Sequence, residues 1–154
     1  LTHAEYKYCN GNFVQVEYAA RGGGNLVASH IIPFISGYDS YGRYLAGLHD
    51  HLGNDMDVFD SDVKYDSRAA VLSFFDVECG RGQRLIAIEG ADALETASEI
   101  VSYQFNVAVG DEMKNPENDS KRLGYYIALS EDKSRLEGLI TKLSHEIKFI
   151  SEPL

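Results

Sequence analysis

Two stretches near the start of the chain alternate with the period of a β-strand. His3 to Cys9 and Phe13 to Ala19 flank Asn10-Gly11-Asn12, residues that tolerate the left-handed backbone of a tight turn, so the three segments predict an antiparallel hairpin. Leu26 to Phe34 is mostly apolar, interrupted by Ser29 and His30, and reads either as a short helix or as an extended segment lining a pocket. Asp39 and Ser40 are good N-caps for a stretch in which Tyr41, Tyr44, Leu45, Leu48 and Leu52 recur at helical spacing before Gly53, which predicts an amphipathic helix.

Residues 54–68 hold Asp55, Asp57, Asp60, Asp62 and Asp66 with few core candidates. An EF-hand would need Gly at its sixth position and Glu at its twelfth, where Asp60 and Asp66 stand, so calcium-loop chemistry is excluded and the stretch reads as a solvated linker. Beyond it, Ala69 to Val77 and Gln83 to Glu89 read as two strands of a hairpin turning at Gly80-Arg81-Gly82. Ala91 to Ser98 predicts a short helix. Val101, Tyr103, Phe105 and Val107 alternate with polar residues as in a half-buried strand. A loop through Gly110, Asp111, Pro116, Asp119 and Arg122 then leads to a strand at Leu123 to Leu129. Ser130 caps a helix with Glu131 and Asp132 in its first turn and Leu136, Leu139, Ile140, Leu143 and Ile147 on its apolar face, and Lys148 to Ser151 forms a last strand.

Composition narrows the class. The chain's 154 residues suffice for one large or two small domains, and 44% hydrophobic with 25% charged residues is a globular composition. A formal net charge of -10 repels nucleic-acid phosphates and anionic membranes, so neither is an expected partner. Cys9 and Cys79 lie far apart with no Cys-x-x-Cys, which suggests neither a zinc site nor a disulfide framework. No apolar run nears the ~20 residues of a membrane span and no signal-peptide pattern opens the chain, so a reducing cytoplasm is the expected setting. The sequence begins on Leu1 within a strand pattern, which reads as part of a larger protein.

Candidate chemistry sits in the first hairpin. Glu5 and Glu17 are oxygen ligands of the kind Mg2+ prefers, and Arg21 with Gly22, Gly23 and Gly24 follows at once. Register decides whether the carboxylates meet. A two-residue Asn10-Gly11 loop sets Glu5 opposite Val16 and sends the two acids to opposite faces, whereas a three-residue loop with a bulge sets Glu5 opposite Glu17. A shared metal requires the odd-length loop.

The stretch resembles the end of the ATP-grasp domain of carboxylate-amine ligases, in the branch that includes the L-amino acid ligases. The residues that carry the resemblance are His3-Ala4-Glu5, Glu17-Tyr18-Ala19-Ala20-Arg21 and the glycine loop. The resemblance implies that Glu5 and Glu17 hold Mg2+ on ATP, that Arg21 is catalytic through its contact with the transferred phosphate or the acyl phosphate, and that Gly22 to Gly24 let backbone amides approach the substrate. Many members carry a metal-binding Asn where this chain has Ala19. Gly80-Arg81-Gly82, Gly110-Asp111 and Asp119 to Tyr125 resemble the small C-terminal domain of the same ligases, so the likeness spans nearly the whole chain. The implied fold is α+β, an antiparallel sheet with packed helices. Residues 1–60 would close the ATP-grasp domain and residues 67–154 would form the small C-terminal α+β domain. The implied activity joins a carboxylate to an amine through an acyl phosphate, with small-molecule substrates and a possible homodimer. The nucleotide-gripping lysines of the family lie upstream of Leu1.

A second reading makes the chain a non-catalytic ligand-binding or protein-interaction module whose acids and glycines are structural. Other candidates carry less. His49 and His51 lie about 200° apart on a helix and cannot share an ion. His30 is placed to touch a substrate or simply to pack. Tyr38, Tyr41 and Tyr44 gather beside the glycine loop, and Arg81, Arg84 and Arg122 are candidates for a substrate carboxylate. The glycine triplet lacks the Gly-Lys-Ser/Thr of a Walker loop, and no Gly-x-Ser-x-Gly nucleophile motif occurs.

Overall fold

In the computed structural model, residues 2–24, 26–48, 67–75, 82–113 and 122–154 are described. The chain divides into two compact units, Leu1–Tyr65 and Asp66–Leu154.

The first unit opens with strands β1 (His3–Cys9) and β2 (Asn12–Ala19), paired antiparallel. Asn10 and Gly11 both adopt positive φ, 51° and 79°, so the connection is a two-residue turn of the kind whose twist suits a hairpin. A π-helical turn, Val27–Ile31, follows the glycine loop and runs into α1 (Ile32–Ser36), with Pro33 in its first turn and Gly37 ending it in the left-handed region. The apolar segment from Leu26 to Phe34 is therefore helical, not extended. Helix α2 (Ser40–Leu48) begins where the cap residues predicted, and Asp39 Oδ1 accepts the Gly42 amide at 2.8 Å. Ala28 and Ser40 are buried together, with the Ser40 hydroxyl donating to the Ala28 carbonyl at 3.2 Å.

The expected apolar face of α2 is not covered. Tyr41, Tyr44, Leu45 and Leu48 are exposed, as are Tyr6, Tyr8, Phe13 and Tyr18 on the hairpin. The pairings Ala4 with Tyr18, Tyr6 with Gln15 and Tyr8 with Phe13 put those four hairpin aromatics on one face.

The second unit carries the main core. Strands β3 (Ala69–Phe74), β7 (Gly124–Ser130) and β5 (Ile100–Phe105) form one antiparallel sheet in the order β3-β7-β5. Strands β6 (Glu112–Met113), β4 (Gln83–Glu89) and β8 (Lys148–Pro153) form another in the order β6-β4-β8. The predicted hairpin of Ala69 to Val77 with Gln83 to Glu89 is thus corrected, because β3 pairs with β7 while β4 pairs with β6 and β8. Both runs are apolar enough to sit in either sheet, and the glycine-rich connection imitates a hairpin loop. Gly80 and Arg81 lie outside the described residues. Strand β6 falls within what the sequence suggested was loop.

Helix α3 (Asp92–Thr96) is shorter than its predicted span, and α4 (Lys133–Glu146) buries Leu136 and Leu143. The cap of α4 is Asp132 and not Ser130: its carboxylate accepts the amides of Ser134 and Arg135 at 2.8 and 3.2 Å. The Ser130 hydroxyl instead accepts the Asp132 amide at 3.1 Å, one step before the helix. Leu139, Ile140 and Ile147 pack against the core that Leu85, Leu94, Met113, Tyr126 and Ala128 help to fill. The Phe75 ring lies 5.1 Å from Phe105 and 5.6 Å from Phe149, joining the two sheets through aromatic contact. This is an α+β fold of antiparallel sheets with packed helices, as the resemblance implied. No helix among the described residues is long and apolar enough to cross a membrane.

Candidate functional site

The hairpin solves the register problem in a way the turn alone does not predict. Beyond the two-residue turn, Tyr8 pairs with Phe13, Lys7 with Val14 and Tyr6 with Gln15, a register that would bring Val16 opposite Glu5. Between Glu5 and Tyr6 the ladder shifts by one, and Glu5 pairs with Glu17. The extra residue is therefore a bulge at Val16, within the strand, and the expected odd-length loop is replaced by an even turn plus that bulge. Both carboxylates emerge on one face, opposite the aromatic one.

Directly opposed residues on an antiparallel pair have Cβ atoms roughly 5 Å apart, and like charges there repel. Each acid has one neighbour of opposite or donor character. His3 Nε2 lies 3.0 Å from Glu5 Oε1, and Arg21 Nη2 lies 3.4 Å from Glu17 Oε1. The Glu5 and Glu17 side chains are 55% and 50% exposed, so their remaining oxygens face solvent. Arg21 also donates to the Gly22 carbonyl at 3.0 Å, bending over the start of the glycine loop.

The three glycines are not equivalent. A methyl group at Gly22 would lie 2.8 Å from the Tyr41 hydroxyl, and one at Gly23 would lie 3.1 Å from His3 Nδ1. A methyl group at Gly24 would meet nothing within 4 Å. Gly22 and Gly23 thus make room for a tyrosine of α2 and for the imidazole of β1, while Gly24 borders open space of the sort an approaching ligand needs.

The donor set fits Mg2+, which takes one or two carboxylates and completes its shell with water and phosphate oxygens. The described residues offer no group of three or more His, Cys, Asp or Glu side chains suited to holding a metal, so a metal here would have two carboxylates at most from this hairpin.

Of the other predicted candidates, His30 Nδ1 lies 2.8 Å from the Ser29 hydroxyl beside the loop. Tyr41 reaches the loop, Tyr44 is exposed, and Tyr38 carries the Arg43 guanidinium over its ring at 5.7 Å. Arg122 stacks on Phe74, 4.1 Å from the ring centroid, and Arg84 pairs across strands with Glu112. These two arginines belong to the second unit. Cys9 is a free, exposed cysteine. Arg81, Cys79, His49 and His51 lie outside the described residues. The residue that sequence reasoning missed is His3: its spacing of two from Glu5 places both on one strand face, a signal available in the alternation itself.

Comparison with known proteins bears on this geometry. Residues 82–152 match the family model described as L-amino acid ligase C-terminal domain 2. Among solved structures, L-amino acid ligase from Bacillus licheniformis aligns with a TM-score of 0.72 at 19% identity, covering 97% of this chain and 35% of that one. Phosphoribosylglycinamide synthetase from Anaerococcus prevotii aligns with a TM-score of 0.69 at 18% identity, over 97% of this chain and 36% of that one. The chain thus spans about a third of the length of these structural relatives. No curated protein sequence matches it significantly. In fold, and in the family match of its second unit, the chain resembles the C-terminal part of an ATP-grasp carboxylate-amine ligase.

Proposed function

We propose that the chain is the C-terminal part of an ATP-dependent ligase that joins a carboxylic acid to an amine or amino acid. The observation that carries this reading is the bulge that turns Glu5 and Glu17 to one face, next to Arg21 and the open backbone at Gly24. Glu5 and Glu17 are the residues that would hold Mg2+, whose charge offsets that of the nucleotide phosphates.

The substrate carboxylate attacks the γ-phosphorus of ATP, giving an acyl phosphate and ADP. The amine then adds to the acyl carbon, phosphate leaves with the C–O bond electrons, and the nitrogen gives up its proton to the departing phosphate or to water. In this reading Arg21 moves its guanidinium from Glu17 to the phosphoryl group in transfer. An exposed pair of this kind is worth only about 0.2–1 kcal/mol, so releasing it costs little beside a charge-assisted contact to phosphate. The amides around Gly24 orient the substrate. In such chemistry positioning and charge neutralisation supply most of the rate.

In this reading the adenine cleft and the lysines that grip the nucleotide belong to other parts of the longer protein. The exposed Tyr6, Tyr8, Phe13 and Tyr18 face supports the same view, since a hairpin with so much apolar area open suits part of a larger domain. That face equally favours the second reading, an interaction module. The two part in one experiment. In the longer protein that carries this chain, ATP-dependent phosphate release with a panel of carboxylates and amines should require Mg2+ and be abolished by Arg21→Ala, and the isolated chain should release none. Absence of ATP-dependent phosphate release in the folded longer protein contradicts the ligase reading. Retained turnover in a folded Arg21→Ala protein removes Arg21 from the chemistry, and turnover by the chain alone removes its dependence on the rest of the protein.

A further inference from the structure

We propose that His3 is a positioning residue that sets Glu5 and the glycine loop in one arrangement, an inference that rests on the ligase reading above. The imidazole side chain is 24% exposed, against 55% for Glu5. Its Nε2 lies 3.0 Å from Glu5 Oε1, and because a carboxylate only accepts, the Nε2–H donates. The opposite edge of the ring faces the loop, where Nδ1 would be 3.1 Å from any methyl group placed on Gly23. One ring therefore meets the Glu5 carboxylate with one nitrogen and turns the other toward the place that a side chain on Gly23 would occupy.

The consequence is mechanical. A half-exposed Glu on a two-stranded hairpin samples several rotamers, and fixing one of them for a ligand costs entropy. His3 supplies that fixation before any ligand arrives. Gly23 is the complementary half of the arrangement: without a side chain it leaves room for the ring, and the backbone at Gly23 has no positive φ of its own to demand glycine. Partners that orient a metal ligand from behind typically change metal affinity about 10–100-fold when removed.

The test is Mg2+ binding by isothermal titration calorimetry in the longer protein that carries this chain, alongside steady-state ATP hydrolysis as a function of free Mg2+. The dissociation constant should move with the half-saturating concentration. His3→Leu should raise the Mg2+ concentration for half-maximal rate about tenfold, with a smaller loss at saturating Mg2+. His3→Gln, which restores an N–H donor close to the Nε2 position, should recover most of that loss. Gly23→Ala should displace the ring and raise the half-saturating Mg2+ concentration a few-fold, yet add nothing further once His3 is Ala. An unchanged Mg2+ dependence in folded His3→Leu protein overturns the inference, and so do independent, additive effects of Gly23→Ala and His3→Ala. Should His3→Leu fail to fold, the pair of Gly23→Ala backgrounds decides the matter in the same way. Mg2+-dependent turnover that is lost in Glu17→Gln but indifferent to His3 removes this inference alone. Absence of Mg2+-dependent turnover in the unmodified protein removes both it and the ligase reading.

Discussion

Glu17→Gln separates the catalytic account of the hairpin from a structural one, because the substitution keeps shape and removes one charge. In metal-free solution two effects oppose each other. At the roughly 5 Å spacing of directly opposed strand residues, two carboxylates repel by about 0.8 kcal/mol in water, less in salt, and neutralising one relieves this. The same change forfeits the 3.4 Å pair between Glu17 and Arg21, whose side chains are 50% and 57% exposed. Such a pair contributes about 0.2–1 kcal/mol. The net change in stability should therefore stay within about 0.5 kcal/mol, a shift in Tm of no more than roughly 3 °C. With ten Tyr and no Trp in the chain, tyrosine fluorescence during thermal or urea unfolding reports it directly. In the longer protein, Mg2+-dependent ATP turnover should fall to background in the same variant. A loss of about 2 kcal/mol or more with turnover retained would refute the reasoning, since it would make Glu17 a structural residue.

Further expectations concern the second unit. Gly124 adopts φ 152°, and a Cβ there would run into the Gln104 carbonyl oxygen and press on Phe75, so Gly124→Ala should destabilise the unit by about 2 kcal/mol or more in urea unfolding. Leu143 is 1% exposed in the core, and Leu143→Ala should cost about 2–5 kcal/mol by the same measurement, whereas a change of less than 1 kcal/mol would mean the helix is not packed as described. A hydrogen bond with its own backbone holds the Glu99 carboxyl below the ordinary value of 4.5, helped by Ser98 and by the Arg135 guanidinium and opposed by burial. Because the folded value is lowered, this contribution to stability is present above pH 4.5 and is lost as the pH falls through the folded value. Glu99→Gln should accordingly flatten the acid limb of the stability curve, and an unchanged limb would remove Glu99 from it.

Local chemistry was readable in the sequence and long-range choice was not. Asn10-Gly11 announced its turn because few residue pairs accept two positive φ values in succession, and Asp39-Ser40 announced the start of α2. The Val16 bulge carried no residue signal: any side chain can occupy it, and its position depends on how the two strands twist once paired. Pairing of β3 with β7 was hidden for a related reason. Alternation tells which face of a strand is apolar but not which partner it takes, and the connection after Phe75 offered a nearby, plausible, incorrect neighbour. The cap of α4 moved from Ser130 to Asp132 because both residues can cap and only the geometry chooses. The candidate site was legible as a set of residues. Its arrangement was not, and His3 entered it only when the strand face and the loop were seen together.

The most direct measurement is the position of the metal. Crystals of the longer protein grown with Mn2+ and a non-hydrolysable ATP analogue should show an anomalous peak within about 2.5 Å of a carboxylate oxygen of both Glu5 and Glu17, with Arg21 turned towards the terminal phosphate. A metal bound on phosphate well away from this pair, or the two carboxylates directed to opposite faces of the hairpin, would contradict the account.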